Sequence, residues 1–422
     1  MRIFVRFALS IGAVSLFAGC GGSSPPIDTP ATDIRTSRSD GIPRSATSSS
    51  YRVLYRFNRY PNGAFPMAGL IDVKGTLYGT TQKGGKACHV RSFGCGVIFS
   101  IATSGVEHSI YSFDTWQAGA YPQARLIDVK GTLYGTTYQG GIGVGTVYSI
   151  SKAGTETVLH SFQTGSDGAY PEAPLLDVDG TFYGTTLGGG ARNDGGTVYS
   201  ISASGLHTVL YKFKGAPDGN NPTGGLINVN GTMYGTTPFG GSSTACDPYG
   251  CGTVYSITRS GVEKVLYRFA GGSDGSEPKG DLIDVSGTLY GTTVGGGTAV
   301  CYGHPTRGCG TVFSITTSGQ EKVLYSFTGG SDGEAPQAGL INVNGTLYGT
   351  TSEGGGGCGY GCGTVFSVTT AGAETVLQRF AGGSDGDYPV APVVEVNGTL
   401  YGTTEDGGNS KHGVGTVFAL TL

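Results

Sequence analysis

One heptapeptide, Gly-Thr-Leu-Tyr-Gly-Thr-Thr, occurs first at residues 75–81 and returns six times with little change. The spacing between copies varies only from 49 to 58 residues, and the later copies begin at Gly131, Gly180, Gly231, Gly287, Gly345 and Gly398. A period of this size indicates a repeat architecture, in which each unit buries its faces against its neighbours. The seven copies therefore predict one array, although 422 residues would be long enough for two or three separate domains.

Each unit carries four short segments typical of β-strands. The first is an apolar segment such as residues 70–73, and the second is the Thr-Leu-Tyr-Gly-Thr-Thr part of the heptapeptide. Two residues such as Asp179-Gly180 stand between them, which is the strongest short-range signal of a hairpin with a primed turn. The third is Gly-Thr-Val-Tyr-Ser-Ile, as at residues 145–150, and the fourth follows a Ser-Gly turn, as at residues 265–269.

The order of these segments predicts how the array ends. The chain begins with a fourth segment at residues 53–57 and finishes with a third segment at 415–420, so the last unit lacks one strand that the N-terminus can supply. We therefore predict an all-β fold, a seven-bladed β-propeller of four-stranded blades, closed by pairing of the N-terminal strand with the three C-terminal strands. A β-solenoid is the alternative, but it needs atypical polar caps and neither end is atypical.

The N-terminus has the layout of an export signal. Arg2 and Arg6 precede an apolar run at residues 7–17 that is too short to span a membrane. Residues 16–20, Leu-Phe-Ala-Gly-Cys, resemble the bacterial lipobox, which implies cleavage before Cys20, lipid attachment to it, and an outer-membrane or cell-surface location. Phe17 departs from that pattern, which prefers a branched aliphatic residue there, and a plain signal peptide is the alternative.

The Ser-, Thr- and Pro-rich residues 21–50 are predicted to be a flexible tether for a propeller at 51–422. Without the signal and the tether, 21 basic and 27 acidic residues remain, a net charge of about −6. Binding to a phosphate backbone needs the opposite sign, so nucleic acid is not an expected partner.

The tandem of Gly-Thr-Leu-Tyr-Gly-Thr-Thr and Gly-Thr-Val-Phe-Ser-Ile segments resembles the GloVer repeat of the choice-of-anchor tandem-repeat proteins. The resemblance covers residues 51–422 and rests on seven near-identical copies. It implies a bacterial surface or extracellular protein held by one of several interchangeable anchors, which here would be the lipobox. It implies no particular activity.

Eight of the nine cysteines form close pairs, all in loops between second and third strands: Cys88 and Cys95, Cys246 and Cys251, Cys301 and Cys309, Cys358 and Cys362. Those loops hold 14, 14, 16 and 11 residues, whereas the three loops without cysteine hold 7, 9 and 10. Because a cross-link is most useful in a long loop, we predict four local disulfides in an exported protein. The alternative is a zinc site, which would need His89 or His304 as further ligands.

Alternating strand directions place the long loops and the links between units on one face of the ring, and the tight turns on the other. The variable loop face is where a fixed scaffold usually carries its binding residues. The candidates there are Lys83, Lys86, His89, Arg91, Phe93, Trp116, Phe239, Tyr249, Tyr302, His304, Arg307, Tyr360 and Lys411. Trp116, the only tryptophan, is the most attractive as a flat ligand platform.

Two patterns suggest chemistry, each with a structural alternative. Residues 271–275 and the equivalent stretches at Gly329 and Gly382 match the nucleophile pattern G-x-S-x-G, but they open the links between units, where Ser and Asp more often cap a turn. One position of the first strand is acidic or amide in all seven units, and these side chains could form a ring of calcium ligands or cap the adjacent hairpins: Asp72, Asp128, Asp177, Asn228, Asp284, Asn342 and Glu395. We predict no cofactor, calcium being the alternative. None of the six histidines lies in a repeated or paired context with a carboxylate and a serine or cysteine.

The sequence as a whole predicts a monomeric binding module anchored to the cell envelope by its lipid, which uses the variable loop face to bind a glycan or a surface protein. One alternative is a hydrolase or lyase acting on a carbohydrate or lactone in the channel mouth, and another is a structural envelope protein. Carboxylates or histidines clustered at that face would favour an enzyme, whereas an aromatic floor would favour a binder.

Overall fold

The computed structural model describes residues 50–58, 61–86, 93–190, 195–301, 307–408 and 413–422. Several of the predictions concern residues outside these ranges: the signal peptide, Cys20, all of the tether except Ser50, and the side chains of Cys88, His89, Arg91, Tyr302, His304 and Lys411. Within the described residues, no helix is long and apolar enough to cross a membrane.

The described chain forms seven four-stranded antiparallel sheets, here called blades 1 to 7, as predicted. The strands of blades 1 to 3 are Ile71–Val73, Thr76–Thr81, Val97–Ala102 and Glu107–Ser112; Ile127–Val129, Thr132–Thr137, Thr146–Ser151 and Glu156–Ser161; and Leu176–Val178, Thr181–Thr186, Thr197–Ser202 and His207–Lys212. Those of blades 4 to 6 are Ile227–Val229, Thr232–Thr237, Thr253–Thr258 and Glu263–Arg268; Ile283–Val285, Thr288–Thr293, Thr311–Thr316 and Glu321–Ser326; and Ile341–Val343, Thr346–Thr351, Thr364–Thr369 and Glu374–Arg379. Blade 7 contains Val394–Val396, Thr399–Thr404, Thr416–Thr421 and the N-terminal strand Tyr51–Arg56.

Small differences from the predicted strands have a simple cause. The fourth strands begin about two residues earlier than expected, at Glu263 rather than Val265 in blade 4, because the turn before them is tighter. Two further strands of two residues each pair beside blade 4. Gly219–Asn220 lies in the link before this blade, and Phe239–Gly240 lies in the loop between its second and third strands. Among the described residues, short 3₁₀ helices occupy three of the links: Trp116–Ala118, Gly165–Asp167 and Gly272–Asp274.

The predicted closure is confirmed. Tyr51–Arg56 pairs antiparallel with Thr416–Thr421, with Tyr51 opposite Leu420 and Arg56 opposite Thr416. The first strands of blades 1 and 7 also lie side by side at the centre, so the ring has no open seam there. Pairing of the two termini removes the sheet edges that an open stack would expose.

The first turn of each blade follows from its two residues. Lys74 and Gly75 both have positive φ, 54° and 82°, as a primed turn requires, and each blade repeats this pair of conformations. The acidic or amide side chain on the first strand supports the turn, since Asp72 Oδ1 accepts the N–H of Gly75 at 2.9 Å.

The last residues of the heptapeptide join neighbouring blades. In its final Thr-Thr pair, the hydroxyl of the first threonine, such as Thr292, donates to a carbonyl in the next link, here that of Ala338 at 2.9 Å. The same bond recurs in every blade and crosses the closure as Thr403 to Ala68 at 3.1 Å. The heptapeptide therefore forms a strand within its own blade and also a contact with the neighbouring blade.

Aromatic rings fill the seven interfaces. A phenylalanine that follows each fourth strand packs edge-on against the aromatic residue of the next blade's third strand, as Phe269 does on Phe313 with centroids 5.2 Å apart. The other pairs are Phe57–Phe99, Phe113–Tyr148, Phe162–Tyr199, Phe213–Tyr255, Phe327–Phe366 and Phe380–Phe418. These rings form the apolar core between blades, and Phe57 closes it by contacting blade 1 from the N-terminus.

Candidate functional site

The long loops and the links between blades lie on one face of the ring, which we call the loop face. Three of its loops are closed by the disulfides Cys246–Cys251, Cys301–Cys309 and Cys358–Cys362, with Cα atoms 5.1, 5.3 and 5.2 Å apart. Cys95 is also disulfide-bonded. The three described bonds confirm three of the four predicted local disulfides, leave no thiolate for zinc at those pairs, and indicate an oxidising compartment.

Trp116 is less suited to a ligand platform than its sequence suggests. It begins a 3₁₀ helix in the link before blade 2 and packs, half-buried, against the core between blades 1 and 2. Its carbonyl accepts the N–H groups of Gly119 and Gly141 at 3.2 and 2.7 Å. Trp116 therefore has a structural role in shaping the link.

Two other candidates also have partners. Phe239 is half-buried and lies against Tyr249, with ring centroids 5.5 Å apart. The Arg307 guanidinium binds the Glu277 carboxylate at 2.5 Å, and Lys279 lies 3.9 Å from the same carboxylate. The charge of Arg307 is therefore already compensated.

The ring of acidic and amide residues on the first strands lies on the opposite face, around a central cavity of about 720 Å³. Six of the seven side chains accept the N–H of their own hairpin glycine, and the seventh, Asp128, pairs with Lys152 at 3.1 Å. No three carboxylates of this ring approach closely enough to share an ion within the described chain. Their geometry matches the turn-capping alternative.

A salt bridge crosses the centre of the channel. Arg125, just before the first strand of blade 2, lies 3.5 Å from Asp281, just before that of blade 5. Asp281 also accepts the N–H of Gly225 at 2.6 Å. This pair separates the large cavity from a smaller one of about 120 Å³ towards the loop face, and both cavities are lined by the two residues.

The G-x-S-x-G stretches serve as turns. Asp274 accepts the N–H of Ala270 at 2.6 Å and the hydroxyl of Tyr267 at 2.5 Å, while Ser273 lies exposed in a 3₁₀ helix. Asp332 and Asp385 accept the equivalent N–H groups in the next two links. The nucleophile elbow needs a strand turning into an α-helix, which these links do not form.

Tyr360 is one of the candidates that line a pocket; Lys83 and Phe93 line another, of about 220 Å³. The Tyr360 side chain is 65% exposed on the loop between the second and third strands of blade 6, which the Cys358–Cys362 disulfide closes. A cavity of about 350 Å³ lies beside it. The walls of this cavity, which we call the blade 6 pocket, are Gly329, Gly330, Ser331, Glu334, Gly354, Gly355, Gly356, Cys358, Gly359, Tyr360 and Gly361.

Glu334 is the charged residue of this pocket, and sequence reasoning missed it. It is only 2% exposed, and its Oε1 has no hydrogen-bond partner among the described residues. Its backbone pairs with that of Glu353, which places two acidic residues side by side. The sequence did contain a signal for this residue. In the links before blades 1 to 3, alanine occupies the equivalent position, as at Ala64, whereas glutamate occurs there once, as Glu334.

The surroundings of Glu334 change its acidity. Burial raises the pKa of its carboxyl to about 7, the negative charge of Glu353 adds to the increase, and Arg307 opposes it. In blade 7, burial and the nearby charge of Asp406 likewise raise the pKa of Asp387 to about 6 and that of Glu405 to about 7. At neutral pH these groups exchange between donor and acceptor forms, as carboxyls that bind or activate hydroxyl groups often do.

Comparison with known proteins gives the family and the fold. The Gloeobacter/Verrucomicrobia repeat matches residues 42–247 and 243–422. No curated protein matches the chain.

Three solved structures are similar to this chain. A puromycin hydrolase has a TM-score of 0.50 at 10% identity, over 83% of this chain and 52% of that one. A gluconolactonase from Xanthomonas campestris has 0.40 at 16%, over 69% and 82%. Trypanosoma rangeli sialidase has 0.43 at 13%, over 89% and 59%. At 10% identity, the likeness to the puromycin hydrolase shows the fold alone.

Proposed function

Because this chain belongs to the Gloeobacter/Verrucomicrobia repeat family and carries the blade 6 pocket, we propose that it is a carbohydrate-binding propeller of the cell envelope. The proposal rests on one observation: a buried carboxyl with a free oxygen, Glu334, lies in a pocket with an exposed aromatic ring, Tyr360, in its wall.

Each wall of the pocket suits a saccharide. An exposed tyrosine ring offers an apolar face for the C–H groups of a sugar and a hydroxyl at its edge. Glycines remove side chains from the other walls, so backbone N–H and C=O groups are within reach of sugar hydroxyls. The volume of about 350 Å³ lies within the usual range of small-molecule sites.

Glu334 supplies the specificity in this proposal. A buried polar atom without a partner costs about 1–3 kcal/mol, and a ligand hydroxyl that pairs with Oε1 recovers that cost. With a pKa of about 7, the carboxyl can either donate to a hydroxyl or accept from one near neutral pH. A hydrocarbon ligand would leave the oxygen unpaired.

Binding tests this directly. On a glycan array the purified protein is expected to bind a defined set of saccharides, and Tyr360→Ala and Glu334→Gln should each weaken that binding about tenfold, which is roughly 1.4 kcal/mol. Tyr249→Ala is the matched control, because Tyr249 is also 65% exposed on the loop face but lies in blade 4. Absence of any glycan signal, or an equal loss in the Tyr249 variant, would contradict the proposal.

A hydrolase is the second candidate, favoured by the pKa of Glu334 beside Glu353. A glycosidase uses two carboxyls, one of them protonated near neutral pH to serve as general acid. Release of a shorter saccharide or an opened lactone, lost in Glu334→Gln while binding persists, would show catalysis. A bound saccharide recovered unchanged would assign the pocket to binding alone.

We further propose that Cys20 carries a lipid that anchors the protein to the membrane. The lipobox resemblance supports this proposal, and the disulfides agree with an exported location. Cys20→Ser is expected to move the protein from the membrane fraction to the soluble fraction after cell lysis. A membrane fraction unchanged by this substitution would refute lipid anchoring through Cys20.

A further inference from the structure

A hydrogen-bonded cluster of three side chains recurs where one blade meets the next. A tyrosine on the fourth strand donates its hydroxyl to an aspartate in the following link, as Tyr211 does to Asp218 at 2.9 Å. The same tyrosine contacts the glutamate that begins the next blade's fourth strand, here Glu263. The cluster returns at two further interfaces: Tyr267, Asp274 and Glu321, then Tyr325, Asp332 and Glu374.

The interface between blades 2 and 3 keeps the aspartate and replaces both of its neighbours. His160 stands in place of the tyrosine and His207 in place of the glutamate, with Asp167 between them. A single replacement would leave a tyrosine or a glutamate in contact with the aspartate. Replacing both gives two imidazoles facing one carboxylate, the donor set that borderline divalent metals prefer.

The distances suit metal ligation. His160 Nε2 lies 3.2 Å from Asp167 Oδ2, and His207 Nδ1 lies 3.3 Å from Asp167 Oδ1. One ligand atom from each residue falls within 4.8 Å of the others. Two ligands about 2.0–2.2 Å from a tetrahedral zinc ion lie roughly 3.3–3.6 Å apart, which matches these separations. Binding an ion in the plane of both imidazoles requires the stacked rings to turn towards it.

The surrounding residues pack closely against the three side chains. The imidazole rings stack with centroids 4.0 Å apart and planes 11° from parallel, and Phe162 packs edge-on against both. The N–H of Gln163 donates to Asp167 Oδ2 at 3.0 Å. The His207 side chain is 8% exposed, while those of His160 and Asp167 are 20% and 25% exposed, which leaves a path for an ion and for water ligands.

Among the described residues, one other group has spacing suitable for a metal ion, but it lacks free ligand atoms. Cys358, Cys362 and Asp387 lie close together, but both sulfur atoms are held in a disulfide and cannot act as thiolates. We propose that His160, Asp167 and His207 together bind one divalent transition-metal ion, with zinc the best match. The site is separate from the blade 6 pocket and does not depend on the function proposed for it.

The internal repeat supplies the decisive variant. His160→Tyr with His207→Glu restores the side chains found at other interfaces, so the protein should fold while its metal site is lost. Untagged protein, freed of metal with a chelator, is titrated with Zn²⁺ by calorimetry, and bound zinc is counted after dialysis. The unaltered protein should bind Zn²⁺ at this site with an affinity at least about tenfold above that of the double variant.

Controls separate this site from other histidines. His108→Gln removes an exposed histidine from blade 1 and should leave the affinity unchanged. Asp167→Asn removes the carboxylate alone and should weaken binding, and it serves as the second variant if the double variant fails to fold. Equal stoichiometry and affinity in the double variant, or no Zn²⁺ binding by the unaltered protein, would overturn the proposal.

Discussion

Deleting residues 51–57 is expected to abolish cooperative folding of the propeller. The deletion removes the strand that pairs with Thr416–Thr421 and leaves that strand as an open edge. It also removes Phe57, which is 1% exposed and packs on Phe99 of blade 1. Loss of one buried phenylalanine side chain costs about 3–5 kcal/mol, a large part of the roughly 5–15 kcal/mol that stabilises a domain.

Thermal denaturation and size-exclusion chromatography measure this effect. The truncated protein should lose its sharp melting transition and elute as aggregates, because an unpaired edge strand recruits other chains. A circular permutant that begins at residue 58 and carries residues 51–57 after Leu422, joined by a Ser-Gly turn like those of the other blades, should recover the transition. Normal melting of the truncated protein would show that the ring does not depend on its closing strand.

Replacing Gly291 with alanine is expected to lower the free energy of unfolding by about 1–3 kcal/mol through overpacking. This is the second glycine of the heptapeptide in blade 5, and a Cβ added there would lie 2.7 Å from the ring of Phe313 and 2.9 Å from Leu282. Phe313 is fully buried between blades, so its ring cannot move aside. Denaturation by urea, compared at equal protein concentration, gives the change in midpoint.

A nearby glycine separates this steric effect from backbone strain. Gly287, in the hairpin turn, has a φ of +84° and no atom within 4 Å of an added Cβ, so Gly287→Ala should cost about 1 kcal/mol through strain alone. Phe313→Leu replaces the ring with a shorter side chain and so makes room for the added Cβ. The double variant with Gly291→Ala should therefore lose less stability than the sum of the two single changes. Strict additivity would argue against a direct clash.

The repeats made most of the fold predictable. Each local signal recurs seven times, so a weak copy can be interpreted from the stronger ones. Lys74-Gly75, for example, is a weaker turn signal than Asp179-Gly180 but forms the same hairpin. The phase of the strands also predicted the pairing of Tyr51–Arg56 with the C-terminal blade. The disulfides followed from adjacent cysteines in long loops, because both partners of each pair lie in one short segment.

The candidate site was predictable only in part. The variation of the loops predicted the loop face and Tyr360. The burial of Glu334 was not predictable, because it depends on residues from two separate segments, 329–331 and 354–361. Arg307 was expected to be available for a ligand and instead binds Glu277 from the previous link. Trp116 was expected to be a platform and instead packs in a core.

The sequence by itself determined the number of blades, their strands and turns, and the way the ring closes, because these depend on patterns within about 50 residues that repeat along the chain. Only the tertiary structure decided which side chains meet at the interfaces, since each interface joins residues from different repeats. His160 and His207 lie 47 positions apart and face one carboxylate solely because blade 3 packs against blade 2. The regular repeat specifies the scaffold. Residues that differ from the repeat, such as His160 and His207, come into contact only when neighbouring blades pack together.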